Sequence, residues 1–261
     1  MSYLSQSDPP LYFVHIPKTA GSSLIALLDQ AFSSALIAPP KRWEEFAGFA
    51  FAQCADYRLW RGHFGAHGLD LLAGPNVRRI TVLRDPVALA YSRYRYIKRD
   101  PNTRLHNAVV QGQLSFMQFI HLPAALPLLS DPQCRSLSFR LDPAVSREQL
   151  ISGLLGPAPD AWIKARALRL PPEVQYEAAV RLLAEMPWFG LTEHFAESVR
   201  SLADGLGIAT ALVPHLLSSG DADPEELSEA ARAAVLKRAP WDSLLYAQAT
   251  ELFKKRVLYC R

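Results

Sequence analysis

A lysine, a glycine and three hydroxyl side chains stand close together near the start of the chain, in the segment HIPKTAGSSL, residues 15–24. The apolar stretch 11–14 precedes it, so the pattern predicts a strand that turns into a helix. The first backbone N–H groups of a helix lack partners and can hold an anion. Lys18 would add positive charge, and Gly21 would let the backbone come close. The other members of this predicted phosphate loop are Thr19, Ala20, Ser22 and Ser23.

Two alternatives to this phosphate loop, residues 18–23, stay open. One is a plain capped helix whose lysine is solvated. The other is the loop of a P-loop-like nucleotide or small-molecule kinase, which needs a lysine and a Ser or Thr after its glycines. The lysine here precedes the glycine, and GxxxxGK[ST] is absent from the chain. The kinase hypothesis is therefore the weaker one.

A second candidate for phosphate binding is Arg84, which follows the strand-like segment 79–83. Asp85 is a suitable N-cap and Pro86 suits the first helical position, so Ser92 would lie about two turns into a helix. Ligands of open α/β sheets bind at the carboxyl ends of the strands, where Arg84 would lie. A guanidinium group suits a terminal phosphate better than an ammonium does. The alternative is that Arg84 pairs with Asp85 or with a helix terminus and that Ser92 is an ordinary residue of the helix surface.

Two histidines in WRGHFGAHGLDLL are candidates for a general base, His63 and His67. Histidine has an ordinary pKa close to neutrality, which suits a residue that takes a proton from an attacking hydroxyl. Their flanking glycines disfavour a helix, and no acidic residue lies between them, so a zinc site is a poor interpretation. Each could also be a hydrogen-bonded histidine in a turn at a strand end.

These residues need a scaffold, and the sequence predicts one in which strands and helices alternate. The strand candidates are 12–16, 57–62, 79–83 and 188–192, and helical patterns follow near Gly21, after Asp85, over 195–206 and over 224–256. Such alternation predicts an α/β fold with a central, mostly parallel sheet flanked by helices. Val87, Ala90, Tyr91 and Tyr94 would share the buried face of the helix after Asp85.

The region 100–180 is predicted to be helical and is broken by many prolines. A basic and aromatic cluster precedes it, formed by Arg93, Tyr94, Arg95, Tyr96, Lys98 and Arg99. A solvated helix face with inward tyrosines is the first interpretation of this cluster. The second is one wall of an acceptor pocket that attracts an acidic or polyhydroxylated substrate, with region 100–180 as the rest of the pocket.

The bulk properties limit the protein class. A chain of 261 residues with 49% apolar residues suits a single domain over 1–261. A net charge of +3 is too small to imply a nucleic-acid partner. Three scattered cysteines, Cys54, Cys134 and Cys260, fit a reducing cytoplasm better than a disulfide framework. We see no signal peptide, no apolar run that could span a membrane and no heptad run that would indicate an oligomer.

HIPKTAGSSL and RDPxxxxxS together resemble the two cofactor motifs of the sulfotransferases that use 3′-phosphoadenosine-5′-phosphosulfate (PAPS). The branch it looks most like includes the uronyl 2-O-sulfotransferases and bacterial carbohydrate sulfotransferase-like proteins. Two later segments are similar to the same family, FGLTEHF from Phe189 and APWDSLLY from Ala239. The similar segments run from His15 to Phe253, although residues 100–180 match only loosely.

The resemblance implies a P-loop-like three-layer fold with a helical substrate-binding insertion, and it implies roles for single residues. Lys18 would contact the phosphosulfate bridge, residues 19–23 would hold the 5′-phosphate, and Arg84 with Ser92 would hold the 3′-phosphate. Gly62-His63-Phe64 resembles the family's GHF-like stretch, which makes His63 the favoured base and leaves His67 in reserve.

The implied activity is transfer of a sulfuryl group from PAPS to a hydroxyl of a carbohydrate or small metabolite, by in-line displacement. PAPS carries an activated sulfate, so no metal is expected. A catalytically silent protein that binds PAPS or its product PAP is a further alternative.

Overall fold

The structure is a computed structural model that describes residues 9–207 and 227–258. Within these residues the chain forms four β-strands and thirteen α-helices. Cys260 and residues 224–226, which begin the last predicted helical segment, lie outside the described residues. The single-domain organisation stays a prediction.

Four short strands form one sheet in the order β2-β1-β3-β4, and every neighbouring pair is parallel. The strands are β1 Leu11–Val14, β2 Leu59–Gly62, β3 Arg78–Leu83 and β4 Trp188–Leu191. The predicted α/β class with a parallel sheet flanked by helices is confirmed. The predicted strand 12–16 starts one residue late and ends two residues late, because His15 and Ile16 already belong to the connection after β1.

The strand order creates a crevice between β1 and β3. The connection from β1 leads to β2 on one side, whereas the connection from β3 leads to β4 on the other. The loops that leave these two neighbouring strands therefore separate at their carboxyl ends, which is where open α/β sheets bind ligands. The segments at this point are the phosphate loop after β1 and Arg84 after β3.

The helices fall into three stretches of the chain. The first stretch contains α1 Gly21–Ala31, α2 Asp70–Ala73 and α3 Pro86–Arg99. The predicted helical region contains α4 His106–Gln111, α5 Phe116–His121, α6 Leu126–Leu129, α7 Pro132–Ser138, α8 Arg147–Leu154, α9 Pro159–Arg166 and α10 Pro172–Glu185. The last stretch contains α11 Phe195–Leu206, α12 Glu229–Arg238 and α13 Pro240–Phe253. The helical prediction for 100–180 is therefore confirmed.

The two faces of the sheet are covered by different helices because successive strand residues point to opposite sides. Leu11 and Phe13 pack with α1 and α11 on one face. Tyr12 and Val14 pack on the other face against a core that includes α7, α10 and α13. Around α3, a third cluster of buried side chains joins α4, α5, α6 and α12. This third cluster fixes the position of α3 beside the crevice.

An ion pair between a buried arginine and a half-buried aspartate ties α1 to β2. Arg61 in β2 donates to both carboxylate oxygens of Asp29 in α1, at 2.6 and 3.0 Å, and to the carbonyl of Ala38 at 3.1 Å. Removing Asp29 would leave the buried Arg61 guanidinium without its carboxylate partner, which is destabilising. The contact therefore holds the helix after the phosphate loop at a fixed angle to the sheet.

Candidate functional site

The phosphate loop has an unusual backbone. Lys18 and Ala20 have φ angles of 73° and 62°, a left-handed region that residues with a side chain rarely adopt. The hydroxyl of the fully buried Thr19 donates to the carbonyl of Ile16 at 2.9 Å and closes the turn. Among the described residues, no side chain caps the start of α1 at Gly21. Its first N–H groups are therefore available to an anion.

Gly21 is required by the packing of His15. A Cβ atom at Gly21 would lie 2.0 Å from Nε2 of His15. The His15 ring stacks on Phe13 at 5.3 Å and lies 4.3 Å from the His63 ring between centroids, so it cannot move aside easily. Burial, followed by the charge of His63, lowers the pKa of His15 to about 3. His15 is thus a neutral packing residue between the loop and His63.

Lys18 lies among aromatic and cationic groups. Its Nζ is 4.4 Å from the centroid of the Tyr96 ring on α3, a cation–π contact. Partial burial, then the charges of Arg99 and Arg84, lower the pKa of Lys18. Arg84 Nη1 donates to the carbonyl of Lys18 at 3.0 Å. Positive groups therefore converge on this loop, an arrangement that favours an anionic ligand.

Arg84 brings the second motif to the phosphate loop. Its side chain is 16% exposed, and its nearest carboxylate is Glu193 after β4, at 4.0 Å from Nε. Nε is buried and has no hydrogen-bond partner among the described residues. Burial lowers the pKa of Arg84, and the charge of Glu193 opposes this. A buried guanidinium N–H without a partner fits a phosphate acceptor.

Ser92 lies on α3, which begins as predicted with Asp85 as N-cap and Pro86 in the first turn. The Asp85 carboxylate accepts from the backbone N–H of Ala88 at 2.9 Å, so Asp85 is occupied by capping. Residues three, four and seven apart share a helix face. Ser92 is therefore on the same face of α3 as Tyr96, whose ring contacts Lys18, and the Ser92 side chain is half-buried.

His63 follows β2 and has a fixed orientation. Its Nδ1 lies 2.8 Å from the carbonyl oxygen of His15. A carbonyl can only accept, so Nδ1 carries the hydrogen and Nε2 of the neutral ring is the free acceptor. Burial lowers the pKa of His63 below its ordinary 6.5, although the bond to His15 opposes this. The ring is therefore neutral at pH 7, as a general base requires.

His67 has other partners. Its Nδ1 lies 3.0 Å from the Asp70 carboxylate, which in turn pairs with Arg79 at the start of β3. It lines a surface groove together with Asp70, Leu71, Arg140, Leu141, Asp142, Pro143 and Val145. Neither Lys18 nor His63 lines that groove. The structure thus brings Lys18, Arg84 and His63 to the ends of neighbouring strands and gives His67 a separate environment.

The basic and aromatic cluster divides in the structure. Arg93 is buried and donates to the carbonyl of Leu128, and burial lowers its pKa to about 10. Tyr94 is buried too, and its hydroxyl donates to the carbonyl of Leu114 at 2.8 Å. These two cannot line an open pocket, so the acceptor-wall interpretation is wrong for them. Tyr96 and Arg99 are the members that face Lys18.

Sequence reasoning missed several residues around the site. Gln133 of α7 binds both backbone groups of Arg84 at 2.9 Å. Arg42 precedes a short 3-10 helix, and its charge acts on His15, His63 and Tyr96. Glu193 and Tyr246, which share a hydrogen bond, lie in GLTE and DSLLY, within the two later segments that resemble the sulfotransferase family. That resemblance could have identified both residues. Nothing in the local sequence around Gln133 or Arg42 distinguishes either residue.

Comparisons with known proteins give one fold-level likeness. No family model and no curated protein matches the sequence. Among solved structures the chain is similar to a sulfotransferase from Alicyclobacillus acidocaldarius, with 18% sequence identity and a TM-score of 0.44. The match covers 91% of this chain and 96% of that one. Such a likeness assigns no function, which has to follow from the residues of the site.

Two features are absent from the described residues, a membrane-spanning helix and a cluster of metal ligands. No helix in the described ranges has the length and apolar character of a membrane span. Within the same ranges, no group of three or more His, Cys, Asp or Glu side chains could hold a metal ion.

Proposed function

We propose that this protein is a PAPS-dependent sulfotransferase that transfers the sulfuryl group to a hydroxyl of a carbohydrate or small-metabolite acceptor. The observation that carries the proposal is the hydrogen bond from Arg84 to the carbonyl of Lys18, at 3.0 Å across 66 residues of sequence. It joins the two motifs that resemble the 5′- and 3′-phosphate sites, at the crevice between β1 and β3. His63 lies at the end of the adjacent strand β2.

The residues of the crevice fit a donor with two phosphate-bearing ends. The uncapped start of α1 with the side chains of Lys18, Thr19, Ser22 and Ser23 would hold the 5′-phosphosulfate end. The unpartnered Arg84 Nε, with Ser92 on the same face of α3 as Tyr96, would hold the 3′-phosphate. When bound, PAPS supplies an activated sulfate as the group to be transferred.

His63 would act as the general base. Its free Nε2 takes the proton of the acceptor hydroxyl while the acceptor oxygen forms a bond to sulfur. The bond between sulfur and the bridging phosphate oxygen breaks on the opposite side, and its electron pair leaves with PAP. The histidinium then returns its proton to solvent. The lowered pKa of His63 keeps the base neutral before this step.

Lys18 would stabilise the leaving group. Negative charge develops on the bridging oxygen as the bond to sulfur breaks, and a fixed ammonium group next to that oxygen lowers the barrier. The contact with Tyr96 restricts the flexible lysine side chain before the ligand arrives. The acceptor would enter between His63 and the Tyr96–Arg99 part of α3, with helices from region 100–180 around it.

Among the branches of the sulfotransferase family, we propose the one that includes the uronyl 2-O-sulfotransferases.

A thermal-shift titration tests the donor. Wild type and Lys18→Ala are titrated with PAP, and separately with ADP plus Mg²⁺. A ligand at 100 times its Kd stabilises a protein by about 2.7 kcal/mol, which corresponds to about 5–11 °C for a domain of this size. We expect a metal-independent shift with PAP in the wild type and a reduced shift in Lys18→Ala.

Lys164→Ala is the matched control, because Lys164 is an exposed lysine of α9 that pairs with Asp160. It should keep the full PAP shift. A shift with ADP and Mg²⁺ alone would overturn the sulfotransferase proposal in favour of a kinase. If PAP binds but no acceptor in a carbohydrate and metabolite panel releases PAP from PAPS, the silent binder is the better account.

A further inference from the structure

The backbone of Arg84 is held by a side chain from the helical region. The Gln133 amide accepts from the Arg84 N–H and donates to the Arg84 carbonyl, both at 2.9 Å. β3 ends one residue earlier, at Leu83, where its pairing with β4 stops. The Gln133 amide thus makes the two backbone hydrogen bonds that a neighbouring strand would make with Arg84. These bonds fix the backbone of Arg84.

Gln133 is itself fixed from a distant helix. It lies in the first turn of α7, and its backbone N–H donates to the Asp242 carboxylate at 2.9 Å. The N–H of Cys134 donates to the other oxygen of Asp242 at 2.8 Å. Asp242 is fully buried in the first turn of α13, and its own N–H donates to Asp131 at 2.8 Å. Asp242 therefore caps α7, the role that a residue just before the helix usually has.

The same face of α13 also reaches the side-chain end of Arg84. Tyr246, one helical turn after Asp242, donates to the Glu193 carboxylate at 2.5 Å. The other oxygen of Glu193 accepts from the N–H of Asp85 at 3.1 Å. These two hydrogen bonds hold the Glu193 carboxylate 4.0 Å from Arg84 Nε, which is too far for a hydrogen bond between them. Arg84 is thus fixed at its backbone, while its Nε has no hydrogen-bond partner within the described part of the chain.

We propose that Gln133 and Asp242 are positioning residues that fix Arg84 for the terminal 3′-phosphate and so give the site its preference for nucleotides that carry one. The inference rests on the proposed function, because it takes the 3′-phosphate as the ligand of Arg84. A guanidinium that binds a phosphate through two bonds gains selectivity only when its orientation is fixed. Neither residue touches the nucleotide; both act through the Arg84 peptide.

The test compares two nucleotides that differ only in the 3′-phosphate. Kd values for adenosine 3′,5′-bisphosphate and adenosine 5′-monophosphate are measured by calorimetry in wild type, Gln133→Met and Asp242→Asn. We expect the wild type to prefer the bisphosphate by at least tenfold. In Gln133→Met this preference should fall at least tenfold while monophosphate binding stays within about twofold. Asp242→Asn keeps its volume and one acceptor oxygen, and should lose part of the preference.

Gln175→Met is the matched control, because Gln175 is a glutamine of α10 that donates to a backbone carbonyl at 2.7 Å. It should bind both nucleotides like the wild type. Equal weakening of both nucleotides, or an unchanged ratio, would overturn the positioning role. If Gln133→Met does not fold, the ratio in Asp242→Asn decides alone. A wild type that binds PAP without preferring it over the monophosphate would refute the role of Arg84 and hence this inference, whereas no binding of either would refute the proposed function.

Discussion

At the scale of single residues, the hydrogen bond from His63 Nδ1 to the His15 carbonyl determines which nitrogen can work as a base. It leaves Nε2 as the acceptor, and burial keeps the ring neutral at neutral pH by lowering its pKa. Burial of Lys18 likewise lowers the pKa of its ammonium group, which in the proposed mechanism has to be charged to stabilise the leaving group. In the proposed mechanism the two groups therefore limit activity from opposite ends of the pH range.

Replacing His63 by Gln should lower kcat by about 10²–10⁴-fold, because the general base is lost, and should leave PAP affinity unchanged. In the wild type, the rate should fall on the acid side only below pH 6.5, where His63 with its lowered pKa takes up a proton. As the pH rises, the rate should begin to fall before pH 10.5 is reached, because Lys18 with its lowered pKa loses its proton there. Profiles of kcat/KM against pH, followed by PAP release, measure both limbs.

The matched control is His67→Gln, since His67 is held by Asp70 in a different environment. This variant should keep the kcat and the acid limb of the wild type. Loss of activity in His67→Gln together with full activity in His63→Gln would make His67 the base.

At the scale of the elements, the turn between β1 and α1 depends on the fit between Gly21 and His15. Gly21→Ala would place a Cβ atom 2.0 Å from the His15 ring, and such overpacking costs about 1–3 kcal/mol. The displaced ring would also move His63 and the start of α1. We expect a lower free energy of unfolding in urea and loss of most of the PAP-induced thermal shift.

Gly205→Ala provides the comparison, because no atom of the described residues lies within 4 Å of a Cβ atom at this helical glycine of α11. It should be neutral or stabilise the protein by about 0.5–1 kcal/mol and keep the PAP shift. A Gly21→Ala variant that matches it in both measurements would show that the turn tolerates a side chain.

The elements also show how far sequence reasoning reaches. The strands, and the cap formed by Asp85 and Pro86, were predictable to within two residues because local composition and hydrophobic patterning specify them. The contact of Gln133 with Arg84 spans 49 residues and depends on how α7 packs, so no local pattern predicts it. Arg93 was misassigned because it stands in a basic segment with Arg95, Lys98 and Arg99, whereas its own side chain is buried. The roles of Lys18, residues 19–23, His63, Arg84 and Ser92 stay predictions.

At the scale of the whole molecule, a modest net charge of +3 conceals a local concentration of positive groups. The charges of Arg84 and Arg99 act on Lys18. The charge of Arg42 acts on the rings of His15, His63 and Tyr96, at the carboxyl edge of the sheet. Charges that converge on a crevice attract anionic ligands over distances comparable to the Debye length. The edge of the sheet, rather than the molecule as a whole, provides the attraction.

The affinity for PAP should therefore fall as NaCl rises from about 0.05 M to 0.5 M, where the Debye length shortens several-fold. Arg42→Gln should weaken binding at low salt and flatten the dependence of log Kd on log salt. Arg181→Gln, at an exposed arginine of α10, should keep the wild-type slope. Equal slopes in all three proteins, measured by calorimetry, would contradict local attraction.

The cap that Asp242 places on α7 also has a consequence for the order in which the protein becomes complete during synthesis. Gln133 and Asp242 are 109 residues apart, a stretch that takes a ribosome about 5–20 s to translate. The phosphate loop, β3 and Arg84 all leave the ribosome before α13 can stabilise α7. The nascent chain therefore carries both predicted phosphate-binding motifs well before the groups that fix Arg84 exist. The proposed preference for a 3′-phosphate can arise only once α13 has folded into place.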